Sequence, residues 1–199
     1  MAFIDIFTTD NRYNIIYADP PWQYGSKQPF RKDGVRFHRL EEEYPTVSTK
    51  IMAEWDVKRI ADTDCALFMW STDAHVDDAI TLMKAWGFRY VTIAFVWAKQ
   101  TNTGKMVCNL GAWTMKNCEV CLFGTKGRMS KYKKSNSVKQ LFFAERTKHS
   151  KKPDCVRSFI EEIFGDLPRI ELFARKSANG WDCWGNETNK FDFEEAEAE

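Results

Sequence analysis

No GxGxxG occurs anywhere in this sequence, and the turn 177–180 (Ser177-Ala178-Asn179-Gly180) carries a single glycine. That excludes the glycine-rich loop that cradles a dinucleotide pyrophosphate at a helix start. No apolar run approaches the roughly 20 residues needed to cross a bilayer. Residues 1–10 contain acids and lack a basic stretch followed by an apolar block, so no signal peptide is expected and the cytoplasm is the expected location. Six cysteines are present, but only Cys118 and Cys121 share a CxxC spacing, with no second pair or nearby histidine. On a strand, positions three apart face opposite sides, so these two are expected to be reduced thiols, with no metal site. A net charge of +1 also excludes a strongly basic or acidic chain as a whole, but it conceals an asymmetry. Glu194, Glu195, Glu197 and Glu199 crowd the last six residues, and without them the remainder stands at +5. Cations gather at Lys126, Arg128, Lys131, Lys133 and Lys134, and again at Lys148, Lys151 and Lys152. With 199 residues and an apolar fraction of 44%, the expectation is a single domain over 1–193 and an acidic, unstructured tail over 194–199.

The stretch that organises the chain is 14–22, Asn-Ile-Ile-Tyr-Ala-Asp-Pro-Pro-Trp. A short apolar run makes a buried strand and stops at an acid followed by two prolines. Each proline keeps the residue before it out of the helical region, so Asp19 and Pro20 are held extended at the strand's carboxyl end. The carbonyls there are expected to point at a ligand, and Trp22 to offer a flat apolar face about one base wide. A weakly nucleophilic exocyclic amine becomes reactive when fixed acceptors take its N–H bonds, and a carboxylate with a proline carbonyl provides two. An aromatic ring stacks on the base.

Asp19-Pro20-Pro21-Trp22 resembles the catalytic motif of the DPPW-type N6-adenine methyltransferases. The branch it is similar to contains the catalytic subunit of the eukaryotic messenger-RNA adenosine methylase and smaller bacterial and phage members. The resemblance continues in the family's order through 44–48, 66–70, 95–99, 119–124, 152–154, 169–175 and 180–187, covering residues 14 to 187. It implies a Rossmann-like, S-adenosylmethionine-dependent α/β fold with a mostly parallel sheet flanked by helices. The order is permuted, with the catalytic strand ahead of the cofactor strand. It further implies catalytic roles for Asp19, Pro20, Pro21 and Trp22, and substrate contacts at Tyr24, Tyr44, Trp97, Lys99, Trp113 and Glu119. Cofactor contacts are implied at Asp19, Lys152, Arg175, Asn186 and Glu187, with Lys152 on the methionine carboxylate. There are departures: Ser177 and Ala178 stand where messenger-RNA members have histidine and asparagine, and Glu187 where they have glutamine. The upstream adenine-binding segment is barely present, with Asp10 as a weak candidate.

Along the chain, 23–43 reads as a long basic loop (Lys27, Arg31, Lys32, Arg36, His38, Arg39) suited to nucleic-acid phosphates. A helix is expected over 49–61 burying Ile51, Trp55 and Ile60, and a strand over 65–70. A helix capped by Thr72 or Asp73 then runs along Val76, Ala79, Ile80 and Met83 to Gly87, with His75 an ordinary surface or capping residue. Strands 90–98 and 118–123 are expected to pair, with a substrate-facing loop between them. Loop 124–147 carries the five-cation cluster, whose Lys131, Lys133 and Lys134 are candidates for tracking a phosphate backbone. Pro153 opens a helix burying Val156, Phe159, Ile160, Ile163 and Phe164, and 170–174 is a third core strand.

The function expected is methyl transfer from S-adenosylmethionine to the N6 amine of adenine in nucleic acid, leaving S-adenosylhomocysteine and needing no metal. The chain's small size, with no separate target-recognition domain, is closer to the bacterial and phage members that act on DNA, in a bacterial cell or phage-infected host. RNA is the second reading. A catalytically silent nucleic-acid-binding subunit is a third, against which the intact Asp19 motif argues. Cytosine N4 methylation uses the same chemistry, commonly with serine in place of Asp19. No membrane association is expected, and neither a homodimer nor a protein partner can be read from the residues.

Overall fold

The computed structural model describes residues 2–23, 46–111, 113–147 and 151–185. Its centre is β1 (Tyr13–Ala18), every residue of which is buried. A strand covered on both faces needs apolar residues throughout, which is why Asn14-Ile15-Ile16-Tyr17-Ala18 shows no polar alternation. β1 lies parallel to β2 (Ala61–Ser71) on one side and to β6 (Arg169–Leu172) on the other, with Ile16 opposite Leu67 and Ile170.

The remaining strands are β3 (Arg89–Gln100), β4 (Cys118–Lys126), β5 (Leu141–Glu145) and β7 (Asp182–Trp184). They complete a seven-stranded sheet in the order β5-β3-β4-β2-β1-β6-β7. Only β4 runs against its neighbours, so the sheet is mostly parallel, as the alternation of strands and helices implies. Successive β1 side chains point to opposite faces. Ile16 joins Leu67, Met69, Leu82, Met83 and Trp86 beneath α1 (Thr49–Ala53) and α2 (Val76–Ala85). Ile15 and Tyr17 join Phe68, Trp70 and Phe95 beneath α3 (Cys155–Phe164), which contributes Val156, Ile160 and Phe164. The two layers make the Rossmann-like α/β arrangement expected from the motif order.

Several elements differ from their sequence reading. The helix expected over 49–61 is one short turn, α1, begun by Ser48 accepting from the Ile51 N–H and followed by a 3-10 turn at Val57–Arg59. Ile51 faces solvent, because the chain must turn so that Trp55 can meet Phe7, Phe173 and Trp184. Strand 65–70 lengthens to 61–71 because it pairs with both β1 and β4. Thr72 does precede a helical turn, Asp73–His75, but its hydroxyl meets His75 Nδ1 at 2.8 Å rather than capping a backbone N–H. The expected loop 124–147 contains the end of β4, a 3-10 turn (Met129–Tyr132) and β5 as an edge strand. β6 stops at Leu172 because Phe173 takes a positive φ of 61°.

The cation cluster is folded around Gly127. Its φ is +67°, and a Cβ there would lie 2.2 Å from Asp64 Oδ1 and 2.3 Å from the Thr63 carbonyl oxygen. Asp64 accepts from the Arg128 backbone N–H and ion-pairs with Lys131. Those contacts lower its pKa, the Arg128 hydrogen bond most. Gly127→Ala is expected to destabilise the fold by roughly 2 kcal/mol or more, from backbone strain plus forced displacement of Asp64. Equilibrium urea denaturation measures this, and an unchanged midpoint would contradict the close approach.

Candidate active site

Parallel strands deliver their carboxyl ends to one rim of the sheet, where α/β proteins bind ligands. β1 brings Asp19 there. Pro20 and Pro21 carry the chain across the rim, and the Pro20 carbonyl accepts the Trp22 N–H at 2.9 Å. The sequence expectation of open carbonyls is therefore corrected: one lone pair of Pro20 is engaged and one is left for a substrate. The Pro21 carbonyl accepts from Val47 N–H at 3.0 Å, which ties the motif to the start of α1.

Trp22 is 4% exposed. Its indole N–H donates to the Trp70 carbonyl at 3.1 Å, and its ring stacks on His75 at 5.6 Å between centroids. It plugs the space between the ends of β1 and β2 and presents no free face to a base, contrary to the sequence reading. His75, read as an ordinary surface residue, is 1% exposed. Its Nδ1 faces the Thr72 hydroxyl, and its Nε2 lies 3.3 Å from the Gln23 carbonyl oxygen. Both ring nitrogens are thus engaged, and the Nε2–H donated to the Gln23 carbonyl holds the backbone directly after the Asp19 motif. The signal that could have found it is Thr72, three residues ahead in the turn that follows β2.

Around Asp19 the charges alternate. Lys152 Nζ, just before α3, lies 2.8 Å from Asp19 Oδ2 and 3.3 Å from Glu119 Oε2. Glu119, at the start of β4, also ion-pairs through Oε1 with Lys99 at the end of β3. The result is a ladder, Asp19–Lys152–Glu119–Lys99, laid across three strand ends. Aromatic faces floor it: Lys152 sits 5.6 Å from the Trp70 ring centre and Lys99 5.0 Å from that of Trp97. Burial raises the Asp19 carboxyl above the usual aspartate value, and Lys152 pulls it back only in part. Burial also works against Glu119, but Lys152 and Lys99 together outweigh it and lower that carboxyl. Lys152 is raised: burial opposes its charge, and Asp19 and Glu119 overcome the opposition. The two acids are thus pushed in opposite directions, Glu119 towards its ionised form and Asp19 away from it.

Beside the ladder, a cleft opens between the ends of β1 and β6. It is lined by Asp19, Lys151, Lys152, Phe173, Arg175 and Lys176, with Tyr17, Asp154, Arg157 and Glu171 deeper in. Arg157 donates to Glu171 at 2.7 Å and to Asp154 at 2.6 Å, closing the floor. The enclosed space is only about 30 Å³, room for a water and not for a cofactor, so what the cleft shows is a pattern of charge: the Asp19 carboxylate beside Lys151, Arg175 and Lys176. Among the described residues no cluster of His, Cys, Asp and Glu could hold a metal ion.

Of the sequence candidates, Asp19, Glu119, Lys99 and Lys152 come together, and Arg175 lines the adjoining cleft. Lys152 is already matched by two carboxylates instead of standing open for a ligand. Trp97 is a further correction: it is buried, with its indole N–H donating to the Ala144 carbonyl at 3.0 Å, and serves the core beneath the ladder. Trp113 lies on the surface. Lys131, Lys133 and Lys134 are at the opposite rim, where Lys131 pairs with Asp64 near the start of β2 and the Lys134 N–H reaches Ile163 at the end of α3. Some five strand residues separate that rim from Asp19, on the order of 17 Å. Asp64 is therefore the counter-ion of Lys131, and these lysines do not approach the Asp19 carboxylate. Tyr24, Tyr44, Asn186, Glu187 and the basic stretch 27–39 lie outside the described residues.

The comparisons with known proteins agree with this geometry. The MT-A70 family model matches residues 13–187. The Type II methyltransferase M.MunI of Mycoplasma sp is 39% identical, over 88% of this chain and 78% of that protein. The Arabidopsis thaliana N(6)-adenosine-methyltransferase MT-A70-like is 26% identical over 89% of the chain but only 24% of its own length. The human N(6)-adenine-specific methyltransferase METTL4 is 27% identical over 90% of the chain and 38% of its own length. An Asp-Pro-Pro-Trp motif at the rim of a mostly parallel sheet, inside a match covering nearly the whole chain, makes this protein a member of the MT-A70 family of N6-adenine methyltransferases.

Proposed function

We propose that the chain methylates the N6 amine of adenine in DNA, using S-adenosylmethionine, in a bacterial cell or phage-infected host. The observation that carries this reading is Asp19, held by Lys152 at the end of β1 and bordered by the cleft with Arg175. The DNA preference is supported by M.MunI, a Type II methyltransferase of which this chain covers most of the length. The relatives named as adenosine methyltransferases are much longer than the match. No helix among the described residues is long and apolar enough to cross a membrane.

When bound, S-adenosylmethionine supplies an electrophilic methyl group on a sulfonium. The cleft matches it in charge, with Asp19 for the cation and Arg175 and Lys176 for the carboxylate, and has to widen from its present volume of about 30 Å³ to admit it. Asn186 and Glu187 remain the proposed ribose contacts. Asp19 Oδ and the remaining lone pair of the Pro20 carbonyl accept the two N6–H bonds, drawing the nitrogen lone pair out of conjugation towards the cleft. Lys152 keeps Asp19 ionised and oriented, and Glu119 with Lys99 holds Lys152. Trp22 and His75 brace the motif from behind, and Tyr24 and Tyr44 are proposed to pack the base. Once the nitrogen is methylated it is cationic and acidic, so a weak base such as Asp19 suffices to take the proton.

Nucleoside mass spectrometry after incubation with labelled cofactor and either DNA or RNA tests the reading. N6-methyladenine in DNA is expected, and label confined to RNA would overturn the DNA preference. Asp19→Ala is expected to cut the rate by about 100-fold or more with the circular dichroism spectrum retained. Near-normal turnover by a folded variant would sink the role of Asp19.

Lys152→Ala separates the two roles open to that lysine. Asp19 acts ionised, and Lys152 lowers a pKa that burial has raised. Removing Lys152 should therefore move the acid limb of the pH–rate profile to higher pH. A raised KM for the cofactor with an unmoved acid limb would assign Lys152 to the cofactor carboxylate instead.

A further inference from the structure

A tryptophan held out in water on a braced hairpin calls for a partner. Between β3 and β4 the chain first makes a tight turn, with the Thr101 N–H donating to the Lys105 carbonyl at 2.8 Å. It then forms a narrow hairpin in which Asn109 and Lys116 exchange both backbone hydrogen bonds, each 2.8 Å. Trp113 stands near the tip, 97% exposed, with Leu110 at 73% and Met115 at 53%. The base of the hairpin is fastened on two sides. The Lys99 N–H donates to the Asn117 carbonyl at 2.9 Å, and Lys116 Nζ lies 3.0 Å from Asp73. Lys99 belongs to the charge ladder, and Asp73 opens the turn that carries His75. The hairpin is thus rooted in the rim that holds Asp19.

Adenine in a duplex has its N6 amine paired and its ring stacked, and it reaches a rim carboxylate only by leaving the helix. Proteins that open a base step do so with an apolar wedge set between neighbouring bases. The segment 99–117 contains no aspartate or glutamate, and of its three lysines Lys99 and Lys116 are matched by Glu119 and Asp73, so its own charge towards a polyanion comes from Lys105, with no acid to repel one. We propose that the 109–116 hairpin enters the base stack of duplex DNA beside the target, with Trp113 as its point and Leu110 and Met115 on its flanks. It props open the gap that the extruded adenine leaves. The proposal rests on the DNA reading above and adds the step that delivers the base to Asp19.

The test is Trp113→Ala, assayed on plasmid DNA free of N6-methyladenine, both intact and heat-denatured. Transfer to the intact duplex should fall by about tenfold or more, and transfer to denatured DNA by less than about twofold, because single strands need no extrusion. Trp113→Phe should keep most of the duplex rate, since a flat apolar ring remains. In parallel, a random-sequence duplex with 2-aminopurine replacing part of its adenine should brighten when the unmutated protein binds. With Trp113→Ala it should stay dim at concentrations where anisotropy shows it bound. Equal loss on both forms of DNA, no loss on either, or unchanged brightening overturns the wedge. Equal loss together with a fall in sedimentation mass also overturns it and makes the hairpin a protein contact. If the unmutated protein methylates neither form, the DNA reading itself fails, and the wedge with it.

Discussion

The contact on which the active rim depends is the one between Lys152 Nζ and Asp19 Oδ2. A carboxylate largely withdrawn from water at a strand end is pushed towards its neutral form if left alone, because burial penalises the ionised form. One lysine answers that penalty, and it keeps its own charge only because Glu119 stands behind it. Glu119 in turn is held by Lys99. Removing any rung exposes the next to uncompensated burial, which is the costly way to disturb a buried ion pair. The rim therefore behaves as a unit whose parts come from β1, β3, β4 and the approach to α3.

The scaffold makes this affordable in geometric terms because every participant sits at a strand end. β4 runs antiparallel, so its first residues arrive at the same rim as the last residues of β1 and β3. That reversal is what places Glu119 beside Lys99 and within reach of Lys152. The aromatic residues that looked like substrate contacts support the rim from below. Trp22 and Trp97 both spend their indole N–H groups on backbone carbonyls of neighbouring strands. Rigidity around a carboxylate that must be aimed at a developing charge is what such packing contributes.

The position of Asp19 was legible in the sequence because its causes are local: an apolar run, an acid and two prolines. The sheet was largely legible for the same reason, as were α2 and α3 with their spaced apolar faces. The partners of Asp19 were not. Lys152 and Glu119 lie far along the chain, and a lysine before a helix reads equally well as a ligand contact or as a counter-ion. Trp22 illustrates a second limit, since an aromatic ring after a strand suits a base or the core, and burial alone decides. His75 was missed because only Thr72 among its partners is near in sequence, while Trp22 and the Gln23 carbonyl, which bury it, are more than fifty residues away. The lysines around 131 could not be placed from the sequence, because clustered charge marks a surface without saying which rim it occupies, and the pairing of Lys131 with Asp64 was invisible.

Asp19 and Lys152 are 133 residues apart in the chain. β1 can pair with β2 soon after both have been synthesised, but its other edge stays bare until residues 169–172 supply β6. During synthesis the central strand therefore waits with one row of backbone donors and acceptors unmatched, the condition that invites strands from other chains to add on. The same delay keeps the carboxylate without its lysine until a further 133 residues have been added. A chain cut before residue 152 thus carries the motif without the lysine that holds its carboxylate, and the rim is complete only once residues 152–172 have joined it.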